Sequence, residues 1–272
     1  MMRTSTLKRA AAAALLLAAA SAHAAPPAGQ DAYTGAQVKV DVGDRKLNLY
    51  CIGKGSPTVL FEADAGRSGW DWSAVQPEVA KRTRTCVYDR AGLGFSDPAT
   101  RVSTSGNASK DLNFLIKNAR MDGPFVLVGA GFGAMVVQQF AWRARGTVTG
   151  LVLVEPRHED SLPQPKEQAA MLDAAMACLT ESTQGAPGPD CAYGSTGING
   201  EIGPKLAAAQ AAQVARPNYW RARASEIDNL AVSAGQLRAA RKPFGDMPVS
   251  VVQQGEPSAI VAAVMEVLDK QH

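Results

Sequence analysis

The segment Gly129-Ala-Gly-Phe-Gly133 carries the strongest chemical suggestion in the chain. It follows the apolar run Pro124 to Val128 and precedes a stretch of helical periodicity from Ala134 to Arg145. Gly129-x-Gly131-x-x-Ala134 fits a dinucleotide-binding fingerprint, and Glu155 ends the next predicted strand about twenty residues on. Glycines in such a turn let a pyrophosphate approach the helix N-terminus. The fingerprint normally opens its unit at the first strand, however, and here several predicted strands precede it. A second cluster, His158-Glu159-Asp160, offers metal-ligand atoms. One histidine with two adjacent acids lacks the facing geometry of a helical or strand site, so it reads as the solvated entrance to the following helical segment and no metal is expected. The other two histidines are His23 and the terminal His272.

These residues need elements to hold them. Val38 to Val42 alternates like a strand, Gly43-Asp44 turns, and Lys46 to Ile52 alternates again, which predicts a hairpin. Thr58 to Glu62, Thr85 to Tyr88, Pro124 to Val128 and Gly150 to Val154 are short apolar runs of the buried-strand type. Helices are predicted over Trp70 to Ala80, Asn107 to Ala119 and Ala134 to Arg145. Alternating strands and helices imply an α/β fold with a mostly parallel sheet flanked by helices. From Arg157 to Lys242 the pattern is helical, an insertion over one end of the sheet; strand character returns at Met247 to Gln253 and a last amphipathic helix spans Pro257 to Lys270. The expected division is 1–24, then 25–156 with 243–272 as core, and 157–242 as helical cap.

Arg3, Lys8 and Arg9, the apolar Ala10 to Ala20 and the small-x-small Ala22-His23-Ala24 form a secretory signal pattern, too short to span a membrane. Export to the periplasm or medium is expected. Cleavage after Ala24 would leave 25 basic and 25 acidic residues, so the net charge of +3 belongs to the signal. Neither nucleic acid nor membrane is then an expected partner. All four cysteines lie in the exported part, where disulfides form. Cys178 and Cys191 flank a loop with Gly185, Pro187, Gly188 and Pro189 that could bring them together; such a bridge contributes about 3 kcal/mol in the chain-entropy model.

The element order, with Asp89-Arg-Ala-Gly-Leu-Gly-Phe-Ser-Asp97 and Gly129-Ala-Gly-Phe-Gly133, resembles the α/β-hydrolase fold family, closest to exported bacterial members with a helical cap. The likeness is strong over about residues 36 to 160 and weak in the last helix. It implies that the strands of Cys51 and Cys86 are neighbours, so that these two pair and Cys178 pairs with Cys191 by default. It also implies a nucleophile elbow G-x-S-x-G at 129–133. Here the serine position is Gly131, which has nothing to acylate. No histidine stands where the family places its base. Ser250 is near that place, or else Met247 to Gly255 is the preceding strand and a stretch has been deleted. Glu256 is the sole nearby candidate for the acid.

In the same comparison, Asp64 falls in the loop that helps form the oxyanion hole, where a carboxylate opposes developing negative charge. The remaining N–H candidates are those of Ala65 and Phe132. Loss of a triad costs on the order of 10⁶ in turnover, so the expectation is a non-catalytic hydrolase-like protein without cofactor. A retained function would be binding of a small apolar ester or acid between cap and sheet, with Trp70 and Trp72 as pocket candidates; Trp142 is expected in the core. The alternatives are an esterase-type hydrolase using a non-standard nucleophile or a water activated by Asp64 or Glu62, and a dinucleotide-binding protein.

Overall fold

A computed structural model describes residues 29–185, 187–194, 198 and 200–271. The signal pattern, His23 and His272 lie outside the described residues. Seven strands form one sheet: β1 (Val38–Asp41), β2 (Lys46–Ile52), β3 (Thr58–Glu62), β4 (Thr85–Tyr88), β5 (Phe125–Ala130), β6 (Val148–Val154) and β7 (Val249–Val252). Their order is β1-β2-β4-β3-β5-β6-β7. β1 and β2 are the expected hairpin, β2 runs antiparallel to β4, and all later pairs are parallel.

Among the described residues eight α-helices accompany them: α1 (Gln76–Ala80), α2 (Ser105–Asn118), α3 (Phe132–Arg143), α4 (Pro165–Thr183), α5 (Pro204–Val214), α6 (Pro217–Asp228), α7 (Leu230–Ala240) and α8 (Pro257–Asp269). The central strands β3 and β5 are buried along their whole length, as expected for strands covered on both faces. Their side chains alternate between two cores. Val59, Phe61, Val126, Val128, Val152 and Val154 face α1 and α8. Leu60, Leu127, Leu151 and Leu153 face Leu112, Leu115, Val137 and Phe140 of α2 and α3. This period of two is the physical reason that short apolar runs read as strands.

The helix expected over Trp70 to Ala80 is instead a 3-10 turn at Gly69–Trp72 followed by α1. Pro77 lacks the N–H that a helix begun at Trp70 needs there, but is tolerated in a first turn. The glycine turn is tighter than expected: β5 runs through Ala130 and α3 begins at Phe132, leaving Gly131 alone between them. Within the expected run Met247 to Gln253 the strand is β7, Val249–Val252, beside β6 with Ser250 opposite Val152, and the chain leads through residues 253–256 into α8. Ser250 is therefore mid-strand and not in a loop facing the elbow.

No strand lies between β6 and β7 among the described residues. α4 packs on α6, while α7 packs on α2 and α3 through Leu230 and Leu237, which meet Phe132, Met135 and Val136. The expected insertion 157–242 thus ends in a helix of the layer that flanks the sheet. Both disulfides are present. Cys51 and Cys86 are directly opposed on β2 and β4 with Cα atoms 4.1 Å apart, and Cys178–Cys191 ties α4 to the turn at Pro189–Cys191. No described helix is long and apolar enough to cross a membrane.

Candidate functional site

The elbow is built by one residue. Gly131 has φ +51° and ψ −114°, a conformation that L side chains rarely adopt. Its N–H donates to Val154 O at 3.0 Å and its carbonyl accepts from Arg157 N at 3.2 Å, which pins the turn to the end of β6. A Cβ placed on Gly131 would lie 2.0 Å from Asp64 Oδ1 and 2.1 Å from its Cγ. The Asp64 carboxylate therefore stands in the space of the missing side chain. Asp64 Oδ1 accepts from Phe132 N at 2.6 Å and from Ala65 N at 2.7 Å.

Those are the two N–H groups the sequence marked as oxyanion-hole candidates. Asp64 does more than oppose charge beside them: it occupies them. Each such charge-assisted bond is worth about 1.5–3 kcal/mol, and the N-terminus of α3 adds a favourable field. Arg157 Nε lies 3.5 Å from the same oxygen, with both side chains about one-third exposed.

The dinucleotide reading meets filled space at this turn. A Cβ on Gly133 would sit 2.6 Å from the carbonyl oxygens of both Glu62 and Ala63. The glycine admits the chain's own loop rather than a pyrophosphate, and the first helical N–H is bonded to Asp64. Glu155 accepts from Gly255 N at 2.8 Å instead of facing the turn.

Behind the loop lies a buried ionic hub that sequence reading missed. Arg90 donates from Nη1 to Glu62 Oε1 and to Ala63 O, both at 2.6 Å, and from Nη2 to Asp64 O at 2.7 Å. Its Nε reaches Glu226 Oε1 on α6 at 2.7 Å. Glu226 Oε2 accepts from Gly66 N at 2.6 Å, and Tyr88 Oη donates to Glu62 Oε2. One guanidinium fork thus holds the loop that carries Asp64 and fastens the cap helix to it. A signal for part of the hub exists in the sequence: Glu62 closes an apolar run that is otherwise fully buried. Nothing marks Glu226.

Burial pushes the Glu62 carboxyl up from 4.5 to about 7, against the pull of Arg90. For Arg90, burial works against the charge, but Glu226 and Glu62 outweigh it and hold the guanidinium above its ordinary value. A carboxyl with a raised folded pKa contributes stability that is full below the ordinary value and lost as pH rises through the folded one. Stability is therefore expected to fall between about pH 4.5 and 7 on account of Glu62, by about 3 kcal/mol. Glu62→Gln should flatten that slope in denaturant titrations. An unchanged slope would remove Glu62 as its source.

The remaining candidates are placed as follows. Trp70 and Trp72 are 2% and 0% exposed. Trp72 packs on Phe61, and Trp70 lies edge-on to Phe95 and Tyr193. The cavity beside Trp70 is about 10 Å³, no more than one water needs, so both indoles are core in this state. Trp142 is buried and stacks on Phe244. Glu256 is exposed at the N-cap of α8 and makes no side-chain cap bond.

The cap seats directly on the loop: Tyr219 Oη donates to Gly66 O at 3.0 Å, and Arg223 methylenes lie 2.9 Å from where a Gly66 Cβ would be. His158, Glu159 and Asp160 correct the sequence reading, since their ligand atoms all lie within 4.8 Å of one another. The turn closed by Ser161 N on His158 O gathers them, and Glu159 is buried rather than solvated. Arg241 pairs with Glu159, and Arg238 reaches Asp160 at 3.1 Å, so cations of the chain already engage both acids.

Comparison with known proteins fits this architecture. The profile of the alpha/beta hydrolase family matches residues 59–266. An uncharacterized protein of Bacillus subtilis, YqjL, is 29% identical over 104 residues, covering 38% of this chain and 41% of the relative. An uncharacterized vacuolar membrane protein of Saccharomyces cerevisiae is 34% identical over 127 residues, covering 45% of this chain and 20% of the relative. The chain thus spans less than half the length of these curated relatives. A thermophilic esterase from Thermogutta terrifontis superposes with a TM-score of 0.61 at 18% identity, covering 87% of this chain and 99% of that one. With seven strands in the order described and a profile match over most of its length, this chain belongs to the alpha/beta hydrolase family.

Proposed function

We propose that this protein is an exported, non-hydrolytic member of its family, in which the elbow is a structural joint between sheet and cap. The observation that carries the reading is the Asp64 carboxylate, which fills the side-chain space of Gly131 and takes both N–H groups, Ala65 and Phe132, that an oxyanion would need. Catalysis of acyl transfer requires those donors to be aimed at the developing charge. Here they are spent on a resident anion.

Asp64 and Glu62 are also poor water activators. Asp64 Oδ1 already accepts two bonds, and Glu62 is buried with Arg90 on one oxygen and Tyr88 on the other. A small ester or acid entering between cap and sheet would have to displace Asp64 and lift Tyr219 from Gly66. The signal pattern and the two disulfides support export.

The test is hydrolysis of a panel of p-nitrophenyl esters by the purified protein, with heat-denatured protein and Gly131→Ala as controls. Turnover no greater than in the controls is expected, together with no thermal shift from acetate, butyrate or their esters. Turnover clearly above both controls would sink the reading.

A further inference from the structure

α2 and α3 lie side by side and run in the same direction. Gln139 Nε2 donates to Ser105 Oγ at 2.6 Å, and one turn later Arg143 Nη1 donates to Ser109 Oγ at 3.1 Å. Past that level α3 stops at Arg143, whereas α2 continues to Asn118. A groove of about 370 Å³ opens where the shorter helix ends. That volume falls within the range of small-molecule sites, about 300–1,000 Å³. Phe114 lines it from α2 with 43% of its surface bare, and the buried Phe140 lines it from α3. A lone exposed phenyl ring is ordinary; here a second ring shares the same groove.

The charge in this groove has one sign. Lys110 and Arg143 line it, and no acid does. Neither cation has a carboxylate partner among the described residues. Asp111, next to Lys110 in sequence, is turned to Arg45 and Arg101. The bond to Ser109, itself buried, steadies the Arg143 guanidinium without neutralising it and leaves most of its N–H groups to give. The C-terminal end of α3 brings about half a negative charge here, against two full positive ones.

We propose that this groove binds a small aromatic carboxylate, its ring against Phe114 and Phe140 and its acid group between Lys110 and Arg143. Rings in offset or edge-on contact with phenyl walls gain beyond the area they bury, which favours an aromatic body over an alkyl one. A planar carboxylate matches the guanidinium fork, and the Lys110 ammonium adds a point charge. Acetate and butyrate lack the ring and have little to hold them. The groove lies about 16 Å along α3 from Phe132, so it neither requires nor excludes chemistry at Gly131.

Titration calorimetry of the purified protein with naphthoate tests this. A Kd of about 0.1 mM is expected for a ligand of that size, weakening as salt is raised. Naphthalenemethanol keeps the rings without the charge and should bind at least about tenfold more weakly. Lys110→Gln with Arg143→Gln should weaken naphthoate binding roughly tenfold or more, and Phe114→Ser by a similar factor. All three positions are exposed, so both variants should melt within about two degrees of the parent. Amide shifts on titration should gather on Ser109 to Phe114 and on the last turn of α3. No binding up to the solubility of naphthoate overturns the proposal. So does binding indifferent to these variants, or shifts centred on Gly66 and Phe132, which would put the ligand at the elbow. Equal affinity for naphthalenemethanol overturns the assignment of a carboxylate. Co-sedimentation with phosphatidylglycerol vesicles that is lost in the Lys110 and Arg143 variant, without naphthoate binding, overturns it in favour of an acidic lipid surface.

Discussion

Returning a serine to the elbow is expected to destabilise the protein and not to activate it. Gly131→Ser puts a Cβ where Asp64 Oδ1 now lies, 2.0 Å away, and forces a side chain onto a backbone at φ +51°. The backbone strain costs about 1–3 kcal/mol, and expelling Asp64 forfeits bonds to Ala65 N and Phe132 N worth about 1.5–3 kcal/mol each. The expected loss is about 4–9 kcal/mol, a drop of about 10 °C or more in melting temperature for a chain of this size. Asp64→Gly should relieve the overlap. The double variant Asp64→Gly with Gly131→Ser is then expected to be more stable than the sum of the single effects by at least about 1 kcal/mol. Neither should hydrolyse p-nitrophenyl esters above background. His158, the one histidine among the described residues, is engaged by Glu159 and Asp160. If Gly131→Ser melts within a degree of the parent, Asp64 does not hold the position assigned to it.

Arg90→Ala should also destabilise the protein strongly. It leaves Glu62 and Glu226, whose side chains are 1% and 2% exposed, without their cation. Removing one partner of a buried ion pair costs about 3–5 kcal/mol, and here two acids lose the same partner. Ala63 O and Asp64 O lose their donor too. Urea titration should show that loss, and amide exchange at Gly66 and along α6 should rise more than exchange in β5. Replacing the three together, Arg90→Met with Glu62→Gln and Glu226→Gln, is expected to restore most of the stability, since no charge is then buried unpaired. An Arg90→Ala cost below about 1 kcal/mol would mean that the hub does not fasten the cap.

The sheet was legible because its strands bury both faces and so read as apolar runs with a local signature. Pro77 shows the limit of periodicity: the apolar spacing of Trp70 to Ala80 suits a helix, yet a single missing N–H moves its start to Gln76. The missing side chain was equally legible at Gly131, and Asp64 was read as a carboxylate that opposes developing charge. Its seat was not, because the bond from Phe132 N spans 68 positions and depends on the path of the loop. The Arg90 hub was hidden for the same reason. Ser250 stayed ambiguous because what fixes its place is pairing with Val152, far away in the chain.

The separation of 136 positions between Arg90 and Glu226 also sets an order of assembly. A chain delivered from its N-terminus, by ribosome or through a membrane, presents the hairpin, β3, β4 and β5 before α6 exists. Asp64, Ala65 and Phe132 can find one another at that stage, whereas Arg90 and Glu62 must wait in water for their second acid. At about 5–20 residues per second the delay is roughly ten seconds or more. Through that interval the loop is held by Asp64 at one end and free at the other, so the early chain is a half-built sheet that still waits for α6.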